Sequence, residues 1–307
     1  MTTEQLIKNL SVPTTKVDAV LDTDTYNEVD DQFALAYFLR SSERINPVAI
    51  YAAPFNNFRC SSTKDGMERS YNEIFKVLEL ADREDMKAKV YKGSESFLVD
   101  EKTPVISDAA KDLAERAMNY TPENPLYVVA IAAITNIASA LLINPEIKDR
   151  IVIVWLGGHA LHWPHNKEFN LFQDIAAARI VFGCGAPLVQ LPCSGVVDNF
   201  TVSKPDLEHW LIGKNPLSDY LARNTIEYES AGKPEDYPWR KVIWDVTAVA
   251  WLLNNGNKFM LEYIDHSPIP EYDHVYSFNK TRHFFKYVYK INTPALYNDL
   301  FEKLNGK

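Results

Sequence analysis

Four aspartates that follow a short apolar strand constrain this chain more than any other feature. The strand is predicted over Val17–Leu21, and Asp22, Asp24, Asp30 and Asp31 fall within the next ten residues. Carboxylates this close repel one another, and a fold tolerates them only where a cation, protons or solvent relieve the repulsion. Because apolar residues flank the cluster on both sides, an open acidic surface is disfavoured. The pattern predicts a hard-cation site at the carboxyl end of a strand, where open α/β sheets place their ligands.

Short apolar runs alternate with amphipathic stretches through the first two thirds of the chain. The predicted buried strands are Val17–Leu21, Pro47–Ala52, Lys89–Tyr91, Leu126–Ile131, Ile151–Trp155 and Leu188–Leu191. The predicted helices are 31–40, 64–80, 107–119, 134–142 and 174–182. Near-continuous apolar strands separated by helices are typical of a parallel sheet covered on both faces. We therefore expect an α/β fold, with an open, mostly parallel sheet, helices on both faces and right-handed crossovers.

The pattern changes in the last third of the chain. Helices are predicted at 205–212 and 245–254, and a late edge strand at 283–291. The polar segment 223–241 is interpreted as a long loop, of the kind that forms lids in compact enzymes. Thr293 and the proline after it predict the start of a terminal helix that ends near Asn305. No linker or internal repeat is evident, so a single domain is expected over residues 1–307.

Composition excludes several classes of function. The chain has 307 residues, 46% of them hydrophobic, which is enough for one large core. A net charge of −9 argues against a nucleic-acid partner, since binding to phosphates needs clustered Lys and Arg. No apolar stretch is long enough for a membrane span, and the first residues lack the apolar core of a secretory signal. Three unpaired cysteines, Cys60, Cys184 and Cys193, suit a reducing cytoplasm.

The acidic cluster has two alternative readings. In one, Asp30 caps a helix and Asp22 is solvated. In the other, Asp22-Thr23-Asp24-Thr25 begins a phosphatase motif with Asp22 as nucleophile. However, Tyr26 occupies the fifth position, and no phosphate-binding cation is obvious nearby. A metal site remains the preferred interpretation, and an all-oxygen ligand set favours calcium or magnesium over zinc.

Further polar residues follow the later strands. Glu168 and Asn170 flank one apolar residue and would face the same way in extended chain, where they suit bidentate hydrogen bonds to sugar hydroxyls. Asp174 is the better candidate for a helix cap. Asp245 opens an apolar helix, either as its N-cap or as a ligand that completes the cation site. Thr135 lies at a strand-to-helix turn, where it reads as an N-cap or as a carbonyl ligand.

Three histidines, His159, His162 and His165, are spaced by three residues. The spacing imitates a zinc site, but a helical face is disfavoured because Trp163 and a proline interrupt the segment. We expect at least one of these histidines to contact substrate instead.

Taken together, these motifs resemble those of the calcium-dependent nucleoside hydrolases. The matching residues are Leu21-Asp22-Thr23-Asp24, Asp30-Asp31, Thr135-Asn136, Gly157-Gly158, Glu168-Phe169-Asn170 and Asp245. The resemblance spans residues 17 to about 254. It implies one open α/β domain that binds one calcium ion, hydrolyses the N-glycosidic bond of ribonucleosides for salvage, and assembles as a homo-oligomer.

The resemblance also implies a role for each matching residue. Asp24 would ligate calcium and take the proton of the attacking water, and Asp31 and Asp245 would be carboxylate ligands. Thr135 would contribute its backbone carbonyl. The expected ribose contacts are Asp30, Asn56, Glu168, Asn170 and His162.

The sequence departs from the family pattern at three places. The loop 25–29 is two residues longer than usual and lacks its Pro-Gly pair. His162 replaces a common asparagine, and Trp244 replaces the histidine that many members use to protonate the leaving base. Trp244 is therefore interpreted as a ring that stacks on a purine base, with Tyr228 and Tyr237 as further aromatic contacts to the base.

Three functions remain open from the sequence. The first is hydrolysis of standard ribonucleosides. The second is hydrolysis of a non-standard N-riboside, and the third is ribose or nucleoside binding without catalysis.

Overall fold

The predicted strand–aspartate–helix segment lies at the centre of a large sheet in the computed structural model, which describes residues 1–235 and 237–306. The strands are β1 (Val17–Thr23), β2 (Ile45–Ala52), β3 (Val90–Lys92), β4 (Leu126–Ala130), β5 (Ile151–Leu156), β6 (Leu188–Leu191), β7 (Thr201–Val202), β8 (Lys241–Val242), β9 (Met260–His266), β10 (Ile269–Pro270), β11 (Tyr276–Ser277) and β12 (Phe284–Ile291).

Helices connect most of these strands. They are α1 (Thr3–Asn9), α2 (Asp30–Arg40), α3 (Thr63–Leu80), α4 (Asp108–Arg116), α5 (Thr135–Ile143), α6 (Phe169–Gln173), α7 (Ile175–Gly183), α8 (Lys204–Trp210), α9 (Pro216–Ser230), α10 (Val246–Trp251) and α11 (Thr293–Leu304). In the described part of the chain, no helix is both long enough and apolar enough to span a membrane.

The main sheet has eight strands in the order β3-β2-β1-β4-β5-β6-β12-β9. All neighbours are parallel except β12 and β9, which pair antiparallel. The chain runs outward from β1 to β3 and then returns to continue on the other side of β1 with β4. The order of the strands thus reverses between β1 and β4, and a crevice forms at such a switch point, outside the carboxyl ends of the strands.

Two apolar layers cover the sheet because its strands are apolar on both faces. On one face, Leu21 and Val129 pack with Phe33 of α2 and Trp251 of α10. On the other face, Val20 packs in a second cluster with residues of α4, α5 and α7. These observations confirm the open α/β sheet with helices on both faces.

Two predictions for the last third of the chain were wrong. The segment 223–241 is not one long loop, because α9 extends to Ser230; Asp236 lies outside the described residues. The strand predicted at 283–291 exists as β12, but it is not at the edge. It lies between β6 and β9, and β9 forms the edge. The terminal helix is confirmed as α11, with proline in its first turn.

Candidate functional site

Three carboxylates meet at the switch point of the sheet. Asp30 and Asp31 open α2, and Asp245 stands at the N-terminus of α10. All three are buried, and each offers an oxygen within 4.8 Å of the oxygens of the other two. Neither helix uses these side chains as caps, because Val29 is the N-cap of α2 and Asp245 makes no capping bond. The carboxylates are thus available to a ligand.

Asp24 lies beside this group, just beyond the end of β1. It is buried, and among the described residues no donor group forms a hydrogen bond to either of its carboxylate oxygens. Burial raises the pKa of Asp24 well above its ordinary value, and the charge of Asp31 adds to the effect. Ionising a buried carboxylate that has no compensating group costs several kcal/mol, which is on the order of the effective desolvation penalty for a buried charge. The arrangement implies that a cation or a proton compensates Asp24.

Asp31 and Asp22 are held by neighbours on opposite sides of the sheet. Thr23 donates a hydrogen bond to Asp31 at 2.7 Å, and Asn136 of α5 donates one to Asp22 at 2.8 Å. Burial nevertheless raises the pKa of each aspartate to about 7. β1 ends at Thr23, so Asp24 lies in the loop that follows the strand. Asn136 was not predicted as a contact of Asp22, because the two lie far apart in sequence.

This donor set fits a hard divalent cation. The group consists of carboxylate oxygens from Asp24, Asp30, Asp31 and Asp245, with no sulfur among them. Burial raises the pKa of Asp30, although the charge of Lys241 opposes this shift. Burial and the charges of Asp30 and Asp31 raise the pKa of Asp245 well above its ordinary range. A divalent cation with oxygen ligands removes this repulsion.

A cavity of about 170 Å³ opens above the carboxylates. It is lined by Asn27, Glu28, Asp30, Asp31, Ile131, Leu156, His159, Lys167, Glu168, Phe169, Asn170, Cys193, Ser194, Trp244 and Asp245. This volume lies below the roughly 300–1,000 Å³ of sites that enclose a drug-sized ligand. The cavity therefore suits a sugar-sized group, with a larger substituent extending toward the opening.

Glu168 and Asn170 form one polar wall of the cavity. Glu168 is the N-cap of α6 and accepts hydrogen bonds from the amides of Asn170, Leu171 and Gly158, at 2.9, 2.9 and 2.8 Å. The expectation of an extended segment with weak capping was wrong here. The side-chain nitrogen Nδ2 of Asn170 donates hydrogen bonds to two backbone carbonyls, those of Ile131 and Leu156. Its side-chain oxygen Oδ1 therefore remains for a ligand hydroxyl. Asp174 caps α7, as predicted.

Aromatic side chains also line the cavity. Trp244 is half-buried, and Phe169 and His159 also line the cavity. His159 accepts a hydrogen bond from the amide of Ser194 on Nδ1 at 3.3 Å, and burial lowers the pKa of His159 to about 4. This histidine is therefore neutral at physiological pH. His159, and not the predicted His162, contacts the cavity.

Two cations fix the acidic loop 25–29 at the cavity mouth. Lys241 of β8 forms an ion pair with Glu28 and lies 3.9 Å from Asp30. Arg59 donates to the backbone carbonyls of Asn27 and Glu28, at 3.3 and 3.1 Å. Neither Arg59 nor Lys241 was predictable as a contact of this loop, because both lie in distant segments with no motif of their own.

Several residues predicted for the site lie outside the cavity lining. Asn56 and His162 are exposed. Thr135 is buried at the start of α5, where its hydroxyl donates to Asp174 at 2.7 Å. Tyr228 lies on α9 beside Arg59 and Lys241, and Tyr237 is 53% exposed.

The sequence matches a family model across this whole arrangement. Residues 19–288 match the model described as inosine-uridine preferring nucleoside hydrolase. The chain belongs to this family. The match includes every strand of the main sheet except part of β1 and the end of β12, and it includes all the carboxylates of the site.

Relatives of this nucleoside hydrolase family member are distant in sequence. The pyrimidine-specific ribonucleoside hydrolase RihA of Citrobacter koseri is 29% identical over 148 residues, which are 47% of each chain. RihA of Salmonella arizonae is 28% identical over the same share. The chain thus spans about half the length of the curated relatives it matches.

Solved structures match nearly the entire fold. A purine-preferring ribonucleoside hydrolase from Gardnerella vaginalis superposes with a TM-score of 0.74 and 20% identity, covering 94% of this chain and 98% of that one. The inosine-uridine preferring nucleoside hydrolase from Bacillus anthracis gives a TM-score of 0.65 and 16% identity, covering 95% and 99%. At these identities the similarity shows the fold.

Proposed function

We propose that this nucleoside hydrolase family member hydrolyses the N-glycosidic bond of ribonucleosides to ribose and a free base. The observation that carries the proposal is the carboxylate of Asp24. It is buried, accepts no hydrogen bond from a donor group of the described residues, and lies beside Asp31, which lines the sugar-sized cavity. A carboxylate placed this way is suited to accept the proton of an attacking water.

We propose calcium as the bound cation, with Asp24, Asp31 and Asp245 as its carboxylate ligands and Thr135 as a carbonyl ligand. The choice of calcium rests on the oxygen donors and on the family pattern of these residues. When bound, the ion neutralises the clustered carboxylates and makes nearby water more acidic.

The remaining polar residues are proposed to bind ribose. Asp30, Glu168 and the free oxygen of Asn170 face the cavity and accept hydrogen bonds from sugar hydroxyls. Glu168 keeps this capacity because an ionised carboxylate has about four acceptor positions, of which three backbone amides occupy three. Carboxylates around the anomeric carbon stabilise the positive charge of an oxocarbenium-like transition state.

The proposed contact of the base is Trp244, whose ring lines the cavity wall. Tyr228 lies beside Arg59 and Lys241, the two cations that bind loop 25–29, and is proposed as an outer contact of the base. Asn56, His162 and Tyr237 take part only if the segments that carry them move toward the cavity.

Turnover of p-nitrophenyl β-riboside tests the proposal, because its leaving group needs no acid. The chain is expected to release nitrophenol in the presence of calcium. Asp24→Asn is expected to lower turnover by about 10²–10⁴-fold, the usual contribution of a general base. Asp108→Asn, which removes an exposed carboxylate from α4, is the control and should retain turnover.

Binding of ribose without nitrophenol release would contradict the proposal and favour a ribose-binding protein. Full turnover by Asp24→Asn would show that another group accepts the proton.

We also propose that residues 1–307 act as one nucleoside hydrolase-like domain in the cytoplasm, assembled as a homo-oligomer with no nucleic-acid or membrane partner. The continuous sheet from β3 to β9 supports the single domain. Light scattering of the purified chain measures the oligomeric state, and a mass of about 35 kDa would contradict assembly.

A further inference from the structure

The charge of the cavity lining is strongly unbalanced. Five carboxylates line it, those of Glu28, Asp30, Asp31, Glu168 and Asp245, against one ammonium group, that of Lys167. The formal balance is −4, so one bound divalent cation would still leave the lining negative. Lys241, which is not part of the lining, pairs with Glu28 and lies close to Asp30. The cavity therefore favours a positively charged ligand.

The described residues of the lining offer no buried ammonium or imidazolium group as a proton donor for a leaving base. His159 accepts the Ser194 amide on Nδ1 and is buried, so it is neutral. Glu168 accepts three backbone amides, which direct its oxygens toward the backbone, although burial raises its pKa. Cys193 and Trp244 offer only a thiol and an indole N–H, and Lys167 is exposed.

Aromatic rings contribute to the same cavity lining. Trp244 and Phe169 line the cavity together with the neutral ring of His159. The face of an aromatic ring attracts a cation, and tryptophan does so most strongly. The rings and the excess of carboxylates thus favour the same kind of base, one that is planar and positively charged.

We infer that the preferred substrates are β-ribosides whose base carries a fixed positive charge, such as N-ribosylated pyridinium rings; the inference rests on the function proposed above. When the bond between C1′ and nitrogen breaks, its electron pair neutralises the ring, so the base leaves without a proton. The water oxygen bonds to C1′, and its proton passes to Asp24. Ribose, a neutral base and one proton are the products.

The test compares four substrates on the calcium-loaded chain: β-ribosylpyridinium, inosine, uridine and p-nitrophenyl β-riboside. The value of kcat/KM for β-ribosylpyridinium, divided by its uncatalysed hydrolysis rate, is expected to exceed the same ratio for inosine and uridine by at least about 100-fold. This is the lower end of what a general acid contributes to neutral leaving groups.

Glu28→Gln separates attraction of charge from the reactivity of the leaving group. Glu28 lies at the cavity mouth with its side chain 36% exposed. Its loss is expected to raise KM for β-ribosylpyridinium about fivefold relative to p-nitrophenyl riboside, the order of one close charge pair near the surface. Glu115→Gln removes an exposed charge from α4 and should leave both KM values unchanged.

The outcomes distinguish the two proposals. Cleavage of p-nitrophenyl riboside together with equal preference for inosine or uridine would overturn the substrate class and leave the hydrolase function intact. Equal KM changes for both substrates in Glu28→Gln would also overturn it. Cleavage of none of the four substrates would refute the hydrolase function, and the substrate class with it.

Discussion

Individual buried charges set the chemistry of this site. Asp24 accepts no hydrogen bond from a donor group in the described part of the chain, whereas Asp31 and Asp22 each receive one hydrogen bond. Such groups destabilise the folded chain as ions, and native proteins retain them mostly where a function requires them. Burial also raises the pKa of Glu168, but three backbone amides oppose this shift and fix the direction of the carboxylate.

Gly158 helps to fix the direction of the Glu168 carboxylate. Its φ is +77°, its amide donates to Glu168, and an added Cβ would lie 2.2 Å from the Tyr276 hydroxyl. Gly158→Ala is expected to lower the free energy of unfolding by more than about 1 kcal/mol, from backbone strain and collision together. It should also raise KM for the riboside, because Glu168 is displaced.

Gly185→Ala is the matched control for this prediction. Gly185 has a φ of +85° but no atom within 4 Å of the added Cβ, so only backbone strain is expected. Thermal unfolding and KM of the two variants measure the difference. Equal KM values in both variants would show that Gly158 does not position Glu168.

Single residues were predictable from sequence only where a motif carried them. Asp24, Asp31 and Asp245 follow or precede apolar runs, and the structure groups Asp31 and Asp245 with Asp30 and places Asp24 beside Asp31. Lys241 and His159 have no such signal. Lys241 stands on a two-residue strand, and His159 was one of three similar histidines until its burial distinguished it.

Among the elements, the loop 25–29 contributes Asn27 and Glu28 to the cavity lining. Arg59 binds two carbonyls of the loop and stacks over Tyr26, with its guanidinium carbon 4.4 Å from the ring centroid. Lys241 binds Glu28 from the other side. The loop is thus anchored by side chains from two different segments.

Arg59→Ala is expected to loosen this loop and to raise KM for p-nitrophenyl riboside about tenfold with a smaller change in kcat, since hydrogen bonds from a charged group are worth roughly 1.5–3 kcal/mol. Arg69→Ala is the control. Arg69 also lies over Tyr26, at 5.6 Å, but its hydrogen bond goes to Asp65 and not to the loop. Equal KM values for the two variants would contradict this role of the loop.

Predictions of strands and helices were wrong where contacts between distant segments determine the secondary structure. The six early strands were recognised because both faces of a parallel strand are apolar. In contrast, β9 is half exposed, with polar residues that resemble a loop, and it forms by pairing with β12. Helix α9 begins with Asn215 as N-cap and a proline in the first turn. Both signals lie before the segment 223–241, for which the polar composition predicts a loop.

At the scale of the whole molecule, the reversal of strand order between β1 and β4 explains why residues from distant segments meet. Every site carboxylate follows a strand of one sheet or opens a helix at its carboxyl edge. This architecture was predictable because the apolar pattern fixes a parallel sheet. The cavity shape was not, because it depends on how loops pack against one another.

The stability of the folded chain is expected to depend on His283. Burial lowers the pKa of His283 to about 4, and its Nε2 has no partner. Between pH 6.5 and 4 the unfolded chain therefore binds more protons at His283 than the folded chain does. The contribution of neutral His283 to the free energy of unfolding is complete above pH 6.5 and is lost as the pH falls to 4. Chemical denaturation across this range should show a shallower loss for His283→Gln. Parallel curves for the two proteins would contradict the assignment.

Calorimetric titration of calcium into the chelator-treated chain is the decisive experiment for the proposed cation site. One ion per chain is expected to bind at pH 7, and this binding is expected to be lost in Asp31→Asn and Asp245→Asn. Binding is expected to be retained in Asp108→Asn. Absence of binding to the unaltered chain, or undiminished binding after both substitutions in the carboxylate group, would contradict the proposed site.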